Sequence, residues 1–462
     1  GGVVDQMPLR RRADDARVPP LSWAQQRLWF LAQLEPESAA YHLHWAGRMT
    51  AVPDAGLLTT ALREVARRHE SLRTCIRTHR DGPLQIVVPE TELQLQQDAL
   101  PGADPSSLQS RMRELIRRPF DLERAPLLRA WLLELGPADS VLLLVMHHIV
   151  SDGWSMGVLF RELSEIYSAL AAGRRPELPE LPVQYADYAV WQQQWMRGAE
   201  LERQAAYWRE QLRDAPSLLE LPLDQPRPPV QRDRGAWLNT QLSADLLSTL
   251  QRLAAEQGST LFMLLLAGFK SLLLRYTGQR DLLVGVPVAG RGRTELEGLI
   301  GYFLNMLVVR SKVDPDAGFT ELLEQGRELT LEAYDHQELP FEKLLEVCRP
   351  ARSLAHTPLV QVSFNLHNEP GGRLRLGDIA TEVLTLDRGT TKFDLSMSIV
   401  ETRAGLQVGI EYNTDLFAAA TVRALLQHYE ELLRGIAREP DQPLAGIPLM
   451  PAAPALRLPP PA

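Results

Sequence analysis

Cysteine, long apolar runs and blocks of like charge are all scarce in this sequence. Its 462 residues hold two cysteines, Cys75 and Cys348, and no Cys-x-x-Cys zinc motif. A disulfide framework is therefore not expected, which is typical of a reducing cytoplasm. The longest apolar run, 261–269, is about half as long as the roughly 20 residues that span a membrane. We predict a cytoplasmic protein without a membrane-spanning segment.

Charged residues of both signs are mixed along the chain. They sum to −9, from 49 Lys and Arg against 58 Asp and Glu, which argues against a nucleic acid as partner. Apolar residues make up 45% and charged residues 23%, a composition typical of globular proteins. Because 462 residues exceed what one ordinary core can bury, we expect two domains.

Proline-, glycine- and alanine-rich stretches divide the chain. Residues 1–19 lack the apolar core of a signal peptide and 451–462 are rich in Pro and Ala, so both are predicted to be linkers. Two proline-rich stretches, 171–182 and 221–230, separate two mixed α/β halves of similar size. A binding site is expected at the seam between these halves.

Hydrophobic periodicity predicts the elements of each half. Ser22 is the predicted N-cap of the first helix. Helices are expected at 21–35, 55–69, 106–117, 154–170, 185–196, 200–212, 244–257, 260–275, 318–335 and 418–437. Strands are expected at 41–49, 72–79, 84–90, 127–134, 140–147, 281–288, 302–310, 360–366, 377–385, 393–400 and 406–412.

The stretch MHHIVSDGWS, residues 146–155, ends a wholly apolar strand with two histidines. Because side chains alternate along a strand, His147 and His148 should point to opposite faces. No third His or Cys stands at a spacing that would complete a zinc site, so we expect no metal. Asp152 precedes a helix and suits an N-cap, so a structural turn with a satisfied histidine pair is one interpretation.

General base catalysis is the other interpretation of this stretch. A histidine held at the end of a buried strand by a tight turn is suited to accept a proton near neutral pH. No G-x-S-x-G nucleophile motif accompanies it. The pattern therefore favours direct transfer between two bound substrates over a covalent enzyme intermediate.

HHIVSDGWS resembles the His-His-x-x-x-Asp-Gly signature of the condensation domains of nonribosomal peptide synthetases, relatives of chloramphenicol acetyltransferase. The other motifs of that family follow in order over about residues 20–450, with Ile76 where phenylalanine is usual and a divergent seventh motif. The similar stretches are LSWAQQRLWFL (21–31), RHESLRT (68–74), YADYAVW (185–191), IGYFLNMLVVR (300–310), HQELPFEKLL (336–345) and RSLAHTPLVQVSFNLHN (352–368).

The resemblance implies an α/β fold, an α+β sandwich of two chloramphenicol-acetyltransferase-like lobes in a V with a tunnel between them. The N-terminal lobe would span 20–178 and the C-terminal lobe 179–450, with segments of the second crossing over to the first. An upstream and a downstream peptidyl carrier protein would bring donor and acceptor thioesters on phosphopantetheine arms, next to an adenylation domain. The domain itself would bind no cofactor, and as an excised domain it would be a monomer.

The same resemblance assigns the motif residues roles in amide formation. His148 would accept the proton of the attacking amine or hold the amine in line. Gly153 would let the backbone approach the substrate, with its N–H as a donor to the thioester oxygen. His147, on the other face, would be structural.

Asp152 would need a cationic partner if it is buried, because an unpaired buried carboxylate is costly. By similarity this partner is an arginine of the other lobe, with Arg291 as the first candidate and Arg73 as the second. A solvated surface arginine is the alternative for both. The substrate tunnel is predicted to be lined by Trp154, Ser155, Tyr302 and Asn305.

Three other functions share parts of this pattern. An epimerisation domain or another acyltransferase of the superfamily carries the same signature, and degenerate members recruit other proteins. A heterocyclising relative has Asp in place of the histidine pair, and a plant-type acyltransferase adds an Asp-Phe-Gly-Trp-Gly motif that is absent here. The residues of the stretches SDGWSMGVLFREL and RHESLRT favour a domain that joins an L-configured donor residue to an L-configured acceptor.

Overall fold

The computed structural model describes residues 7–13, 18–80, 82–351, 353–367, 374–384, 386 and 389–450. The linker predicted at 451–462 lies outside the described residues, as does part of the one predicted at 1–19. Residues 7–13 pack on the protein. Leu9 is buried, and the Arg12 guanidinium contacts the carboxylates of Glu70 and Asp187.

The described residues form twelve α-helices and fourteen β-strands. The helices are α1 Trp23–Leu34, α2 Ala55–Arg68, α3 Pro105–Arg117, α4 Gly153–Ala171, α5 Tyr185–Trp195, α6 Gly198–Gln211, α7 Ala244–Glu256, α8 Leu261–Thr277, α9 Thr294–Glu297, α10 Phe319–Asp335, α11 Phe341–Cys348 and α12 Ala419–Arg438. The strands are β1 His42–Met49, β2 Thr74–His79, β3 Gly82–Val87, β4 Leu95–Ala99, β5 Leu128–Gly136, β6 Asp139–His147, β7 Gly235–Ser243, β8 Asp281–Val288, β9 Asn305–Lys312, β10 Val362–His367, β11 Arg375–Leu376, β12 Ile379–Val383, β13 Leu395–Thr402 and β14 Gly405–Asn413.

The apolar run before the two histidines is the central strand β6 of the first sheet, whose order is β11-β12-β1-β6-β5-β4. Leu142 and Leu144 pack in one core with residues of α2 and α4, whereas Leu143 and Val145 pack in a second core with residues of α1 and α3. Because both faces of the sheet are covered, β6 is apolar at successive positions and does not alternate.

The second sheet has the order β7-β14-β13-β10-β8-β9 and packs in one large core with helices α7, α8, α10 and α12. Among the described residues no single helix has the length and apolarity of a membrane span; α7 and α8 reach these values only as a pair bent by 103°.

Two segments of the C-terminal half join the N-terminal half. Strand β12 pairs antiparallel with β1, so it extends the first sheet. Residues 299–303 contact the first lobe, and Ile300 is buried in its core beside α2 and α4. The crossover implied by the family resemblance is therefore present, while the boundary at 178/179 stays a prediction.

The predicted elements agree with the structure to within a few residues. Ser22 caps α1 through a hydrogen bond from the Gln25 N–H. The strand expected at 302–310 begins only at Asn305, because residues 300–303 are held by side chains of the other lobe. Sequence periodicity missed β4, β7, β11, α9 and α11, which are short or mostly polar.

Candidate active site

The turn after β6 positions both histidines of the signature. Strand β6 ends at His147, and residues 148–150 form a single turn of 3-10 helix before Asp152 caps α4. The backbone N–H of His147 donates to the Leu127 carbonyl at 3.0 Å, and that of His148 donates to the Tyr41 carbonyl at 2.8 Å. The start of the turn is thus fixed to two neighbouring chain segments.

The imidazole of His148 has a defined tautomer. Its Nδ1 lies 3.1 Å from the Ser151 carbonyl oxygen, which can only accept a hydrogen bond. Nδ1 therefore carries the proton of the neutral ring, and the lone pair is on Nε2. The residue is 8% exposed, and its ring packs edge-on against Tyr302 at a centroid distance of 5.7 Å.

His147 also reaches a cavity, although the sequence analysis gave it only a structural place. Its Nδ1 accepts the N–H of Ile149 at 3.1 Å, so its proton is on Nε2. Burial, with smaller contributions from His42 and Lys392, lowers the pKa of His147 to about 3. The side chain is therefore neutral at pH 7, on the wall of a cavity of about 580 Å³.

Asp152 is the centre of a buried network. One carboxylate oxygen, Oδ1, accepts the N–H of Ser155 at 2.8 Å, which caps α4, and Oδ2 accepts the N–H of Phe303 at 3.0 Å. Arg291 Nη2 lies 3.1 Å from Oδ1, and both side chains are 2% exposed. Asp152 thus joins the start of α4 to two parts of the C-terminal half.

Arg291 occupies the place that the sequence analysis gave it as first candidate. Its Nη1 donates to the carbonyls of Leu296 at 2.5 Å and Leu299 at 2.8 Å, and its guanidinium lies 4.1 Å above the ring of Phe303. Burial lowers the pKa of Arg291, although Asp152 opposes this. Arg73, the second candidate, instead donates to the Val88 carbonyl at 2.7 Å.

First-lobe side chains hold the backbone of residues 300–303. His69 Nδ1 accepts the N–H of Ile300 at 3.2 Å, and the Ser71 hydroxyl donates to the Ile300 carbonyl at 2.6 Å. The Ser155 hydroxyl accepts the N–H of Gly301 at 3.0 Å.

The carbonyl of Tyr302, further along this segment, is held in the same way. The Tyr185 hydroxyl donates to it at 2.7 Å. Sequence reasoning did not assign roles to His69, Ser71 or Tyr185, although all three lie in the family motifs.

Two cavities between residues of both halves share Tyr302, Leu304 and Asn305 in their walls. The first has a volume of about 580 Å³ and the second about 870 Å³. Asn305 also fixes the chain before α11: its amide donates to the Gln337 and Leu339 carbonyls, both at 2.8 Å. Tyr302 and Asn305 therefore line both cavities, and their place in a substrate tunnel stays a prediction.

Trp154 and Ser155, the other two predicted tunnel residues, lie elsewhere. Ser155 is fully buried in the Asp152 network, because the first turn of α4 points its hydroxyl at Gly301. Trp154 is half exposed, and its indole N–H donates to the Glu297 carbonyl at 2.9 Å. Neither residue lines either of the two cavities, and His148 does not line them either, so the tunnel role of Trp154 and Ser155 stays a prediction.

Gly153 is the first residue of α4 and is exposed. A Cβ atom at this position would meet no described atom within 4 Å, and its φ lies outside the positive range. Packing and backbone strain therefore do not explain the glycine. Within the described part of the chain, no cluster of three or more His, Cys, Asp or Glu could hold a metal ion.

Two six-stranded sheets with a His-His-x-x-x-Asp-Gly turn facing the seam define an acyltransferase of the chloramphenicol-acetyltransferase-like class. The profile of the family described as Condensation domain matches residues 15–458. The chain belongs to this family of amide-forming acyltransferases, the condensation domains of nonribosomal peptide synthetases. The family, the fold class and the function expected from the sequence are confirmed at this level.

Similar proteins are much longer than this chain. It is 46% identical to one of the linear gramicidin synthase proteins of Brevibacillus parabrevis, covering 93% of this chain and 6% of that protein. It is 39% identical to phosphinothricin tripeptide synthetase PhsC of Streptomyces viridochromogenes, covering 96% of this chain and 41% of that protein. The chain thus spans less than half of the length of either relative.

Solved structures have the same fold. The complex of the X-domain and OxyB from teicoplanin biosynthesis matches with a TM-score of 0.88 and 29% identity, covering 98% of this chain and 100% of that chain. The first condensation domain of the calcium-dependent antibiotic synthetase, in complex with a substrate analogue, matches with a TM-score of 0.80. At 24% identity, over 94% of this chain and 100% of that chain, the second likeness concerns the fold alone.

Proposed function

We propose that this chain joins two carrier-bound thioesters by amide formation at His148. The observation that carries the proposal is the contact of His148 with Tyr302, a residue that lines both cavities. Two substrates that enter the two cavities would meet beside an imidazole whose Nε2 holds a lone pair. Each cavity would receive one phosphopantetheine arm.

In the proposed reaction, the amine of the acceptor attacks the carbonyl carbon of the donor thioester. The C–N bond forms and the C–S bond breaks, and the donor carrier leaves as a thiol. His148 Nε2 takes the proton that the amine loses and returns it to the departing sulfur, while the Ser151 carbonyl holds the ring in place. General base catalysis of this kind contributes about 10²–10⁴-fold.

Asp152 and Arg291 hold the site and do not touch the reacting atoms. Their buried contact joins α4 to residues 291–303, so Tyr302 is kept against His148. Gly153, where a side chain would meet open space, leaves room for a thioester beside the first N–H groups of α4.

Other features of the proposal concern the context of the domain. The donor and the acceptor both carry L-residues, an upstream and a downstream carrier protein deliver them, and the domain holds no cofactor of its own. The excised domain is a monomer that works in the cytoplasm. The unpaired state of both Cys75 and Cys348 supports a reducing compartment.

The test uses this chain with two purified carrier proteins, one loaded with an L-aminoacyl donor and one with an L-aminoacyl acceptor. We expect a dipeptide on the acceptor carrier, formed about 10²–10⁴-fold more slowly when His148 is replaced by alanine. A D-donor that reacts faster than its L epimer would refute the stereochemical part. Exchange of the donor Cα hydrogen in D₂O without a dipeptide would indicate epimerisation, and neither product would favour a recruitment role.

A further inference from the structure

Two buried histidines of the first cavity take no part in the proposed reaction. His42 in β1 is the register partner of His147 in β6, and their ring centroids lie 6.0 Å apart. Both line the cavity of about 580 Å³, and Phe120 packs edge-on against each ring. His42 is 3% exposed and His147 is 5% exposed, so the two rings are fixed parts of the wall.

Hydrogen bonds to the main chain give the two rings opposite tautomers. His42 Nδ1 lies 2.7 Å from the Ile116 carbonyl, so this nitrogen carries the proton and Nε2 keeps a lone pair. His147 Nδ1 accepts the N–H of Ile149, so its Nε2 carries the proton. Burial lowers the pKa of both, which keeps both rings neutral at pH 7.

The two Nε2 atoms are the remaining polar positions of these rings. Neither makes a hydrogen bond to another residue that the structure describes. Both residues line the cavity, so a ligand that fills it takes away the access of these atoms to water. An atom then left without a partner costs about 1–3 kcal/mol, so a ligand that satisfies both atoms is favoured. The wall thus presents one acceptor, on His42, and one donor, on His147.

We propose that His42 and His147 form a binding subsite for a secondary amide of the substrate. The N–H of His147 donates to the amide oxygen, and Nε2 of His42 accepts the amide N–H. A carboxylate has no proton to offer His42, and an ammonium group has no lone pair to offer His147. This inference rests on the proposed function, whose substrates carry amides in the pantetheine arm and in a peptidyl donor.

Paired substitutions separate the contact of each histidine with a ligand in the cavity from its contact with the main chain. The terminal amide of glutamine reaches the position of Nε2, whereas that of asparagine reaches the position of Nδ1. His42→Asn and His147→Asn should therefore keep the contacts with Ile116 and Ile149 and lose the ligand contact. His42→Gln and His147→Gln are the matched controls that keep the ligand contact.

The probes are pantetheine and an N-acetyl dipeptide methylamide, which do not react, with binding measured by calorimetry. We expect each asparagine variant to bind one probe about two- to tenfold more weakly, the range of one net hydrogen bond, and each glutamine variant to bind within about twofold of the unaltered protein. The probe that loses affinity identifies the source of the amide. Asparagine variants that bind both probes normally would overturn the subsite.

A second measurement needs no variant. On the unaltered protein, an ester analogue of the affected probe, with oxygen in place of the amide N–H, should bind about two- to tenfold more weakly because His42 loses its donor. Equal affinities would refute the subsite even if a variant failed to fold. Peptide formation with carrier substrates is measured separately: turnover without amide selectivity refutes only the subsite, and amide selectivity without turnover refutes only the proposed function.

Discussion

His148 is the residue on which the proposed chemistry depends, and its ring is held locally. Its Nδ1 bonds to the carbonyl of Ser151, three residues away. We expect His148→Ala to keep its melting temperature within a few degrees and to form peptide about 10²–10⁴-fold more slowly. His79→Ala, at an exposed position of β2, is the control and should change neither quantity. Near-normal peptide formation by His148→Ala would refute a role of this side chain in the reaction.

Asp152 should instead matter for stability, because its removal leaves Arg291 buried beside Phe303 without its carboxylate. Breaking a buried pair in this way costs roughly 3–5 kcal/mol. We expect Asp152→Ala to lower the free energy of unfolding by this amount, measured by denaturant titration.

The exposed pair between Arg48 and Asp139 provides the comparison, with side-chain exposures of 46% and 36%. Surface pairs contribute about 0–1 kcal/mol, so Asp139→Ala should cost no more than that. If Asp152→Ala and Asp139→Ala unfold at the same denaturant concentration, the structural role of Asp152 is wrong.

At the residue scale, the sequence predicted which residues form the site better than it predicted which residues contact them. A buried carboxylate needs a cation, which predicted a partner for Asp152, and the family resemblance supplied Arg291 as its first candidate. The sequence did not reveal that Trp154 and Ser155 contact Glu297 and Gly301, because these contacts depend on where residues 297–301 of the other half lie. It gave His147 a structural place, because strand alternation does not reveal that this side chain lines a cavity.

At the scale of elements, helix α8 contains a buried lysine that lowers the stability of the fold. Lys270 is fully buried in the second lobe, where its amine bonds to the Ser311 hydroxyl at 2.7 Å, and burial lowers its pKa to about 7. The unfolded chain keeps a pKa near 10.5, so between these values it binds a proton that the native state lacks. Lys270 therefore destabilises the fold increasingly as the pH falls from about 10.5 to about 7.

We expect Lys270→Met to raise the free energy of unfolding by about 1–3 kcal/mol at pH 7, because a side chain of similar length then needs no solvation. The gain should shrink as the pH rises towards 10, and Ser311→Ala in the same chain should not reduce it. Chemical denaturation at pH 7 and pH 9.5 measures this. A loss of stability, or a gain independent of pH, would contradict the assigned cause.

Elements with a clear period were predicted well, and edge elements were not. The amphipathic helices α2, α7 and α12 and the apolar strand β6 are determined by local pattern. Strand β7 lies at the edge of the second sheet with mostly half-exposed side chains, so its sequence lacks the alternation of a half-buried strand. Its pairing with β14 is decided by the sheet and not by the segment.

At the scale of the whole molecule, the two lobes are joined by main-chain hydrogen bonds to side chains. The N–H groups of Ile300, Gly301 and Phe303 donate to His69, Ser155 and Asp152. We expect these three amides to exchange with solvent as slowly as those of β6, in hydrogen-exchange mass spectrometry of the peptide that contains them.

Asp152→Asn should preferentially speed the exchange of this peptide, since an amide is a weaker partner for Arg291 and for the Phe303 N–H. The peptide containing β14, remote in the second sheet, is the internal control and should be unchanged. Fast exchange of residues 299–303 in the unaltered protein would show that the lobes are held elsewhere.

The sequence alone determined the class of fold, the family and the central turn, because these depend on period, spacing and residue type. The apolar run of β6, the His-His-x-x-x-Asp-Gly pattern and the order of the other motifs needed no coordinates. Only the tertiary structure decided which side chains meet. Residues 299–303 are distant in sequence from Asp152 and Ser155, and their contacts are fixed by packing across the seam. For the same reason the opposite tautomers of His42 and His147, which depend on the carbonyl of Ile116 and the N–H of Ile149, were visible only once the strands were paired.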